Sequence, residues 1–347
     1  MQIRDFIPDG VGRRFDLVSF GEVMLRLSAP DKEKISYGEV FDKNAGGSEL
    51  NVASGAAYLG AKTAIITKLP DNKIGRFIQY NVRYGAVTDR YVVFDKSPEK
   101  RLGVYYYESG AYPRKSSVVY DRANSSFTKI TFDEINPEVY YKTRLFHVSG
   151  ITLALAPSLR DTTLKMIQEF KKNGAAVSFD FNYRATLWSE EEARETITKI
   201  LPYVDVLFVS EETSRRMMQK TGTLEEIMKS YADEYGCKIV ATTRRIAISP
   251  TRHNFGCKIY FDGKFYEEEH YKEIEVVDRI GSGDAFVGGA LYAILMKGDI
   301  QAAVEYGDAM SAVKNTVYGD MPRSSLEEIN SVIKNHKSTG PQSEMNR

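Results

Sequence analysis

The stretch Val276–Gly298, "VVDRIGSGDAFVGGALYAILMKG", decides how the rest of the chain is read. A strand-like run ends in Gly281-Ser282-Gly283-Asp284, and an apolar helical run follows at once. Two glycines allow a tight turn that brings amide N–H groups close to a ligand. The positive end of the following helix adds to the same field. Gly281, Ser282 and Gly283 are therefore predicted to form an anion site that needs no side-chain cation. Two other glycine motifs do not fit. A Walker A loop requires a Lys that is missing here, and Phe286 stands where a dinucleotide fingerprint needs its last Gly. Asp284 has two readings of similar weight. It is a good helix N-cap, and it is also a carboxylate placed to accept a proton from a hydroxyl attacking a bound phosphate.

Working outward, Asp16–Phe20 and Thr63–Leu69 read as buried strands. Between them Ser48–Gly60 reads as a helix, with Ser48 as N-cap and Gly60 as C-cap. A second helix ends at Gly85. Strands are expected at Leu145–Gly150, Ala176–Asn182, Val204–Ser210 and Lys238–Thr243, with helices near 158–173, 189–200 and 224–235. This alternation is the signature of a parallel sheet with helical crossovers. Two segments break it. Residues 27–43 are irregular, and 92–126 contain "RLGVYYYE" and "SSVVYDR" flanking a turn, which reads as a pair of antiparallel strands. We assign both segments to a small β lid on a main α/β domain made of 1–26, 44–91 and 127–338. The polar tail 339–347 is expected to be disordered.

The chain has 347 residues, 47 basic and 47 acidic, so its formal net charge is zero. Neither a nucleic-acid partner nor a membrane is expected from that balance. No apolar run reaches the roughly 20 residues of a membrane span or the length of a signal peptide, which points to the cytoplasm. Two cysteines and four histidines make no recognisable zinc pattern.

The turn "VDRIGSGDAF" resembles the second signature of the ribokinase-like (PfkB) carbohydrate kinases, D-T-x-G-A-G-D-x-F. Gly46-Gly47-Ser48-Glu49-Leu50-Asn51-Val52-Ala53 is similar to their first signature, G-G-x-x-x-N-x-A. The resemblance runs from about Asp16 to about Ile333. It implies a three-layer α/β/α sandwich with a β lid, ATP and Mg²⁺ as cosubstrate and cofactor, and Asp284 as base beside the Gly281–Gly283 anion hole. It also implies sugar contacts from Gly46, Gly47 and Asn51, leaves a monovalent cation open, and suggests a homo-oligomer joined through the lid. "FGEVMLRLSAP", "GVYYYE", "VVYDRANSS" and "FDFNYR" look more specifically like 2-keto-3-deoxygluconate kinases. That resemblance assigns Tyr105, Tyr120 and Arg122 to substrate and Arg184 to its carboxylate. An Arg fork suits a carboxylate, and a neutral sugar has no such group.

On the nucleotide side the resemblance points to Asn182, Ser210, Thr242, Arg245, Gly283 and Asn315. Two departures stand out. Ser210 and Thr213 occupy the outer positions of the family's N-x-x-E motif, which leaves an indirect metal role to Glu211 or Glu212. "TTRRIA" (Thr242–Ala247) replaces a Gly-rich turn, so Arg244 or Arg245 would have to serve the phosphates instead. Two alternatives remain, a neutral-sugar kinase such as a fructokinase, and a non-catalytic sugar- or nucleotide-binding regulator on the same scaffold.

Overall fold

The computed structural model of the chain describes residues 1–249 and 251–338. The expected disorder of 339–347 lies outside them. The strands, in chain order, are β1 (Phe15–Phe20), β2 (Met24–Ser28), β3 (Asp42–Gly46), β4 (Thr63–Pro70), β5 (Thr88–Asp95), β6 (Val104–Glu108) and β7 (Ser117–Asp121). Then follow β8 (Thr143–Ser149), β9 (Ala176–Asp180), β10 (Val206–Phe208), β11 (Ile239–Ser249), β12 (Arg252–Phe261), β13 (Lys264–Glu267) and β14 (Tyr271–Glu275).

Ten strands form the main sheet in the order β13-β12-β11-β10-β9-β8-β1-β4-β5, with β14 paired to β12. It is parallel from β11 through β5, and antiparallel where β12 meets β11, β13 and β14. Both faces of the parallel part are covered, because successive residues of a strand point to opposite sides. Val18, Phe20, Val177 and Phe179 face helices Pro157–Lys172, Glu190–Ile200 and Leu224–Tyr235. Leu17 and Ala176 face the layer of helices Ser48–Tyr58, Ser282–Met296, Ile300–Asn315 and Leu326–Lys337. The chain is thus the expected ribokinase-like three-layer sandwich.

A separate sheet, β3-β2-β6-β7, forms the lid. Its bounds differ from those expected. Met24–Ser28 and Asp42–Gly46 are paired antiparallel lid strands, where the sequence suggested irregular chain over 27–43. At the other end, residues 92–95 belong to β5 of the main sheet, paired in parallel with β4. A second difference concerns "TTRRIA". It is not a turn: Thr242–Ala247 continue β11 and pair with Lys258–His253 of β12. Without a glycine, and with threonines and an isoleucine in it, the segment has no means of turning sharply but every reason to extend.

The carboxyl ends of β1, β8, β9, β10 and β11 converge on one edge of the main sheet, beneath the lid. In open α/β sheets a crevice at that edge is the usual ligand site.

Candidate active site

Helix Ser282–Met296 starts from Gly281, whose φ of 82° lies in the left-handed region that favours glycine. A side chain at Gly281 would also overlap the carbonyl oxygen of Asp320. Of the three amides predicted to form the anion site, that of Ser282 closes the turn by donating to the Arg279 carbonyl at 3.2 Å. The Gly281 and Gly283 N–H groups make no hydrogen bond among the described residues, so they are the ones left to meet an anion.

Asp284 is not an N-cap. It is the third residue of its helix, and its carboxylate accepts from two side chains of the helix Ser48–Tyr58. Ser48 Oγ donates to Oδ1 at 2.7 Å and Asn51 Nδ2 donates to Oδ2 at 2.7 Å. Asn182 Nδ2 in turn donates to Ser48 Oγ at 2.8 Å. Ser48, expected to cap its own helix, instead orients Asp284, and Gly47 takes the cap position with no side-chain bond. Burial raises the Asp284 carboxyl above its ordinary value, opposed by those two hydrogen bonds and by the nearby Arg184 charge. A held, partly desolvated carboxylate of this kind is suited to accept a proton.

Two cavities meet at this turn. One, of about 460 Å³, lies under the lid and is lined by Asp284, Asn51, Gly47, Tyr105, Tyr120 and Arg122. The other, of about 870 Å³, lies outside β10 and β11, with Phe208, Ala241, Phe255, Phe286 and Val287 on its apolar side. Asp180, Asn182, Arg184, Arg245, Ser282 and Gly283 line both and so form the seam between them.

The residues expected at the sugar have different partners. Tyr105 is buried and its hydroxyl donates to Asp320. Tyr120 is half-exposed and packs against the Tyr105 ring, with centroids 5.7 Å apart. Gly46 does not face the cavity. Its missing side chain makes room for the Tyr105–Asp320 contact. Arg122 is bound to the buried Glu22 through Nε at 2.8 Å and through Nη2. Its charge is therefore largely neutralised, which weakens it as a carboxylate binder. Arg184 has no acidic partner among the described residues and makes one hydrogen bond, to the Tyr183 carbonyl at 3.1 Å.

On the nucleotide side, Ser210 lines the larger cavity and caps its short helix by accepting from the Thr213 N–H at 3.1 Å. Glu211 and Glu212 line it too, but they pair with Arg215 and Arg216 at 2.7 and 3.0 Å. Two expected residues lie elsewhere. Thr242 faces a third cavity with Cys257 and Lys258 and does not line the larger one, which Thr243 reaches instead. Asn315 is fully buried and its carboxamide donates to the Ser311 carbonyl at 2.7 Å, so it lines neither cavity.

Four polar residues of the site, Glu22, Glu49, Asp180 and Asp320, were not singled out from the sequence, and Ser48 was singled out only as a cap. Glu49 is buried and accepts from the Ser149 N–H, Ser149 Oγ and Thr152 Oγ1 at 3.1, 2.7 and 2.9 Å, which ties the first-signature helix to the end of β8. Asp180 ends β9 at the seam. Burial and the neighbouring Asp284 raise its carboxyl to about 7, and no cation pairs with it among the described residues. Glu49 and Asp180 could have drawn notice as acidic residues inside or at the end of apolar runs.

A model of the pfkB family of carbohydrate kinases matches residues 14–327 of this chain. Over 319 residues the chain is 35% identical to a 2-dehydro-3-deoxygalactonokinase of Haloferax volcanii, covering 92% of this chain and 96% of that one. Over 335 residues it is 30% identical to a 5-dehydro-2-deoxygluconokinase of Clostridium perfringens, with 94% of each chain covered. The crystal structure of a 2-dehydro-3-deoxygluconokinase from Thermotoga maritima has the same fold, with a TM-score of 0.88 at 34% identity over 93% of this chain and 99% of that one.

Proposed function

The chain belongs to the pfkB family of carbohydrate kinases, and on that premise we propose that it transfers the γ-phosphoryl group of ATP to the primary hydroxyl of a 2-keto-3-deoxy sugar acid, giving the 6-phosphate. The observation that carries the reading is the position of Asp284. Its carboxylate is held by Ser48 and Asn51 in the lid-side cavity, next to the free Gly283 amide at the seam with the second cavity. An acceptor in the smaller cavity and a nucleotide in the larger one would meet only there.

In this mechanism Asp284 takes the proton of the attacking O6 hydroxyl. A bond forms from O6 to phosphorus as the bond to the ADP oxygen breaks, and ADP leaves with that electron pair. The Gly281 and Gly283 amides and the start of the helix face the charge on the phosphoryl oxygens. Arg245, at the seam, adds positive charge. The lid residues Tyr105 and Tyr120 cover the acceptor and exclude water. The residues present fit a metal that arrives with the nucleotide. No cluster of three acidic, His or Cys ligands exists among the described residues, while Asp180 offers one unpaired carboxylate at the seam. Mg²⁺ keeps most of its ligands as phosphate and water oxygens, and when bound it would neutralise phosphate charge. Glu211 and Glu212 remain candidates for an outer role through water.

Recognition of an acid rather than a neutral sugar rests chiefly on Arg184, because Arg122 already has Glu22. Names of the relatives point the same way, since each describes a keto-deoxy aldonate kinase. The test is ADP release with 2-keto-3-deoxygluconate, 2-keto-3-deoxygalactonate, 5-keto-2-deoxygluconate, fructose and ribose. The keto-deoxy acids should be preferred. Arg184→Ala should weaken them by about 10- to 100-fold in kcat/KM, the equivalent of a lost hydrogen bond to a charged group. Preference for fructose, untouched by that substitution, would leave a kinase but discard the acid.

The pH dependence follows from the two raised carboxyls. Each keeps its proton at pH values where an ordinary carboxyl, near about 4, is ionised. Asp284 acts only when ionised, so kcat/KM should fall with decreasing pH along a limb that lies above the ordinary carboxyl range. Asp180, whose carboxyl is pushed up to about 7, is already largely protonated in acid, so Asp180→Asn should leave that limb nearly in place. An acid limb in the ordinary carboxyl range, near about 4, would separate Asp284 from the proton transfer.

A further inference from the structure

One buried cation takes no part in this mechanism. Lys314, in the last turn of helix Ile300–Asn315, is 1% exposed. Its ammonium donates to the carbonyl oxygens of Asp278 at 3.0 Å and Val317 at 3.2 Å. Asp278 opens the turn that runs to Gly281 and Gly283. Its own carboxylate accepts from the Ile280 N–H at 3.0 Å, the Gly319 N–H at 3.1 Å and Arg26 at 2.6 Å. The neighbouring Asn315 carbonyl accepts from the Val277 and Asp278 N–H groups at 2.8 and 3.2 Å. The anion-hole turn is therefore gripped at one residue, from the front by Arg26 and from behind by Lys314.

Burying a lysine is unfavourable unless its charge is compensated. Here the ledger closes. Arg26 and Lys314 face Asp278 and Asp320, two positive charges against two negative, all four side chains nearly inaccessible. Burial pulls the Lys314 ammonium down, while Asp278 and Asp320 oppose that and favour its charged form. Main-chain carbonyls converging beside carboxylates are also the donor set that dehydrated monovalent metal ions take. An ammonium makes the same contacts through its three hydrogens.

We propose that Lys314 is a positioning residue for phosphoryl transfer: its ammonium is a resident monovalent cation beneath the Asp278–Gly283 turn, and no potassium or sodium ion is taken up there. The proposal rests on the kinase reading above, but not on which sugar is the acceptor. It answers the question of monovalent-cation dependence that the family resemblance leaves open. The Lys side chain fills the place, so the residues present do not fit an added ion.

The experiment measures ADP release, with the best acceptor from the panel, in potassium, ammonium and tetramethylammonium chloride at one ionic strength. Wild type should run equally in all three. Lys314→Ala opens the place and removes its charge. Its kcat should fall about 100-fold, the effect of shifting a reacting group by about 1 Å, with a much smaller change in acceptor KM. Potassium or ammonium should restore most of that loss, and tetramethylammonium, too large to enter, should not. Lys314→Met keeps the bulk without the charge and should be impaired beyond rescue. The binding half needs no substrate. Potassium should raise the unfolding temperature of Lys314→Ala, relative to tetramethylammonium, and leave wild type unmoved. Potassium activation of wild type overturns the proposal. So does a folded Lys314→Ala that keeps full kcat, or one that neither ion rescues. If Lys314→Ala does not fold, the potassium response of wild type and the kcat of Lys314→Met decide.

Discussion

Asp284→Asn should lower kcat by about 10²- to 10⁴-fold, the range attributed to a positioned general base, and should leave the fold in place. The substitution keeps the size of the side chain and removes its basicity. Its local consequences are small because the surroundings can adapt. Ser48 Oγ can still donate to the new carboxamide oxygen in place of Oδ1. The new NH₂ group would face the Nδ2 of Asn51. Asn51 Oδ1, however, is buried without a partner among the described residues, so a flip of the Asn51 amide turns a donor–donor clash into a hydrogen bond. An unfolding temperature close to wild type, together with the kcat loss, would place the defect in proton transfer. Turnover within a few-fold of wild type would reject Asp284 as the base and revive the non-catalytic alternative.

The parts of this site legible in the sequence are those held within one segment. Gly281-Ser282-Gly283-Asp284 carries its own turn, its own helix start and its own amides, and the β/α alternation is written locally in the spacing of apolar residues. What escaped depends on contacts between distant segments. Ser48 looked like a cap because nothing near it in sequence says that Asp284 lies within hydrogen-bond reach. Arg122 looked free because Glu22, its partner, is a hundred residues away. Asp320 and Lys314 sit in a loop and at a helix end whose only local signal was a segment near the nucleotide, and Asn315 was chosen there where Lys314 carries the buried charge. Thr242 failed for a different reason. Reading a turn at "TTRRIA" hid the strand, on which Thr243 rather than Thr242 reaches the larger cavity.

The largest effect on stability is expected at Asp320, where the lid meets the Gly281–Asp284 turn. Its carboxylate is 3% exposed. It accepts from Arg26 Nη1 of β2 at 2.6 Å and from the Tyr105 hydroxyl of β6, while its main-chain carbonyl lies against Gly281. One residue thus touches two lid strands and the Gly281 turn. Burial holds the Asp320 carboxyl above its ordinary value in spite of Arg26, so the pair is no great source of stability measured against an apolar replacement. Breaking it is another matter. Asp320→Ala leaves Arg26 buried with Asp278 alone, unbalances the four-charge cluster by one positive charge, and strips the Tyr105 hydroxyl of its acceptor. Removing one member of a buried ion pair costs about 3–5 kcal/mol, a large share of the roughly 5–15 kcal/mol that holds a domain together. Urea unfolding should register that loss as a lower midpoint. Tyr105→Phe deletes a single hydrogen bond and should cost about 1 kcal/mol. Combined with Asp320→Ala it should add almost nothing, because the bond is already gone. If the two losses add in full, Tyr105 and Asp320 act independently, and the lid is not fastened to the Gly281 turn through this carboxylate.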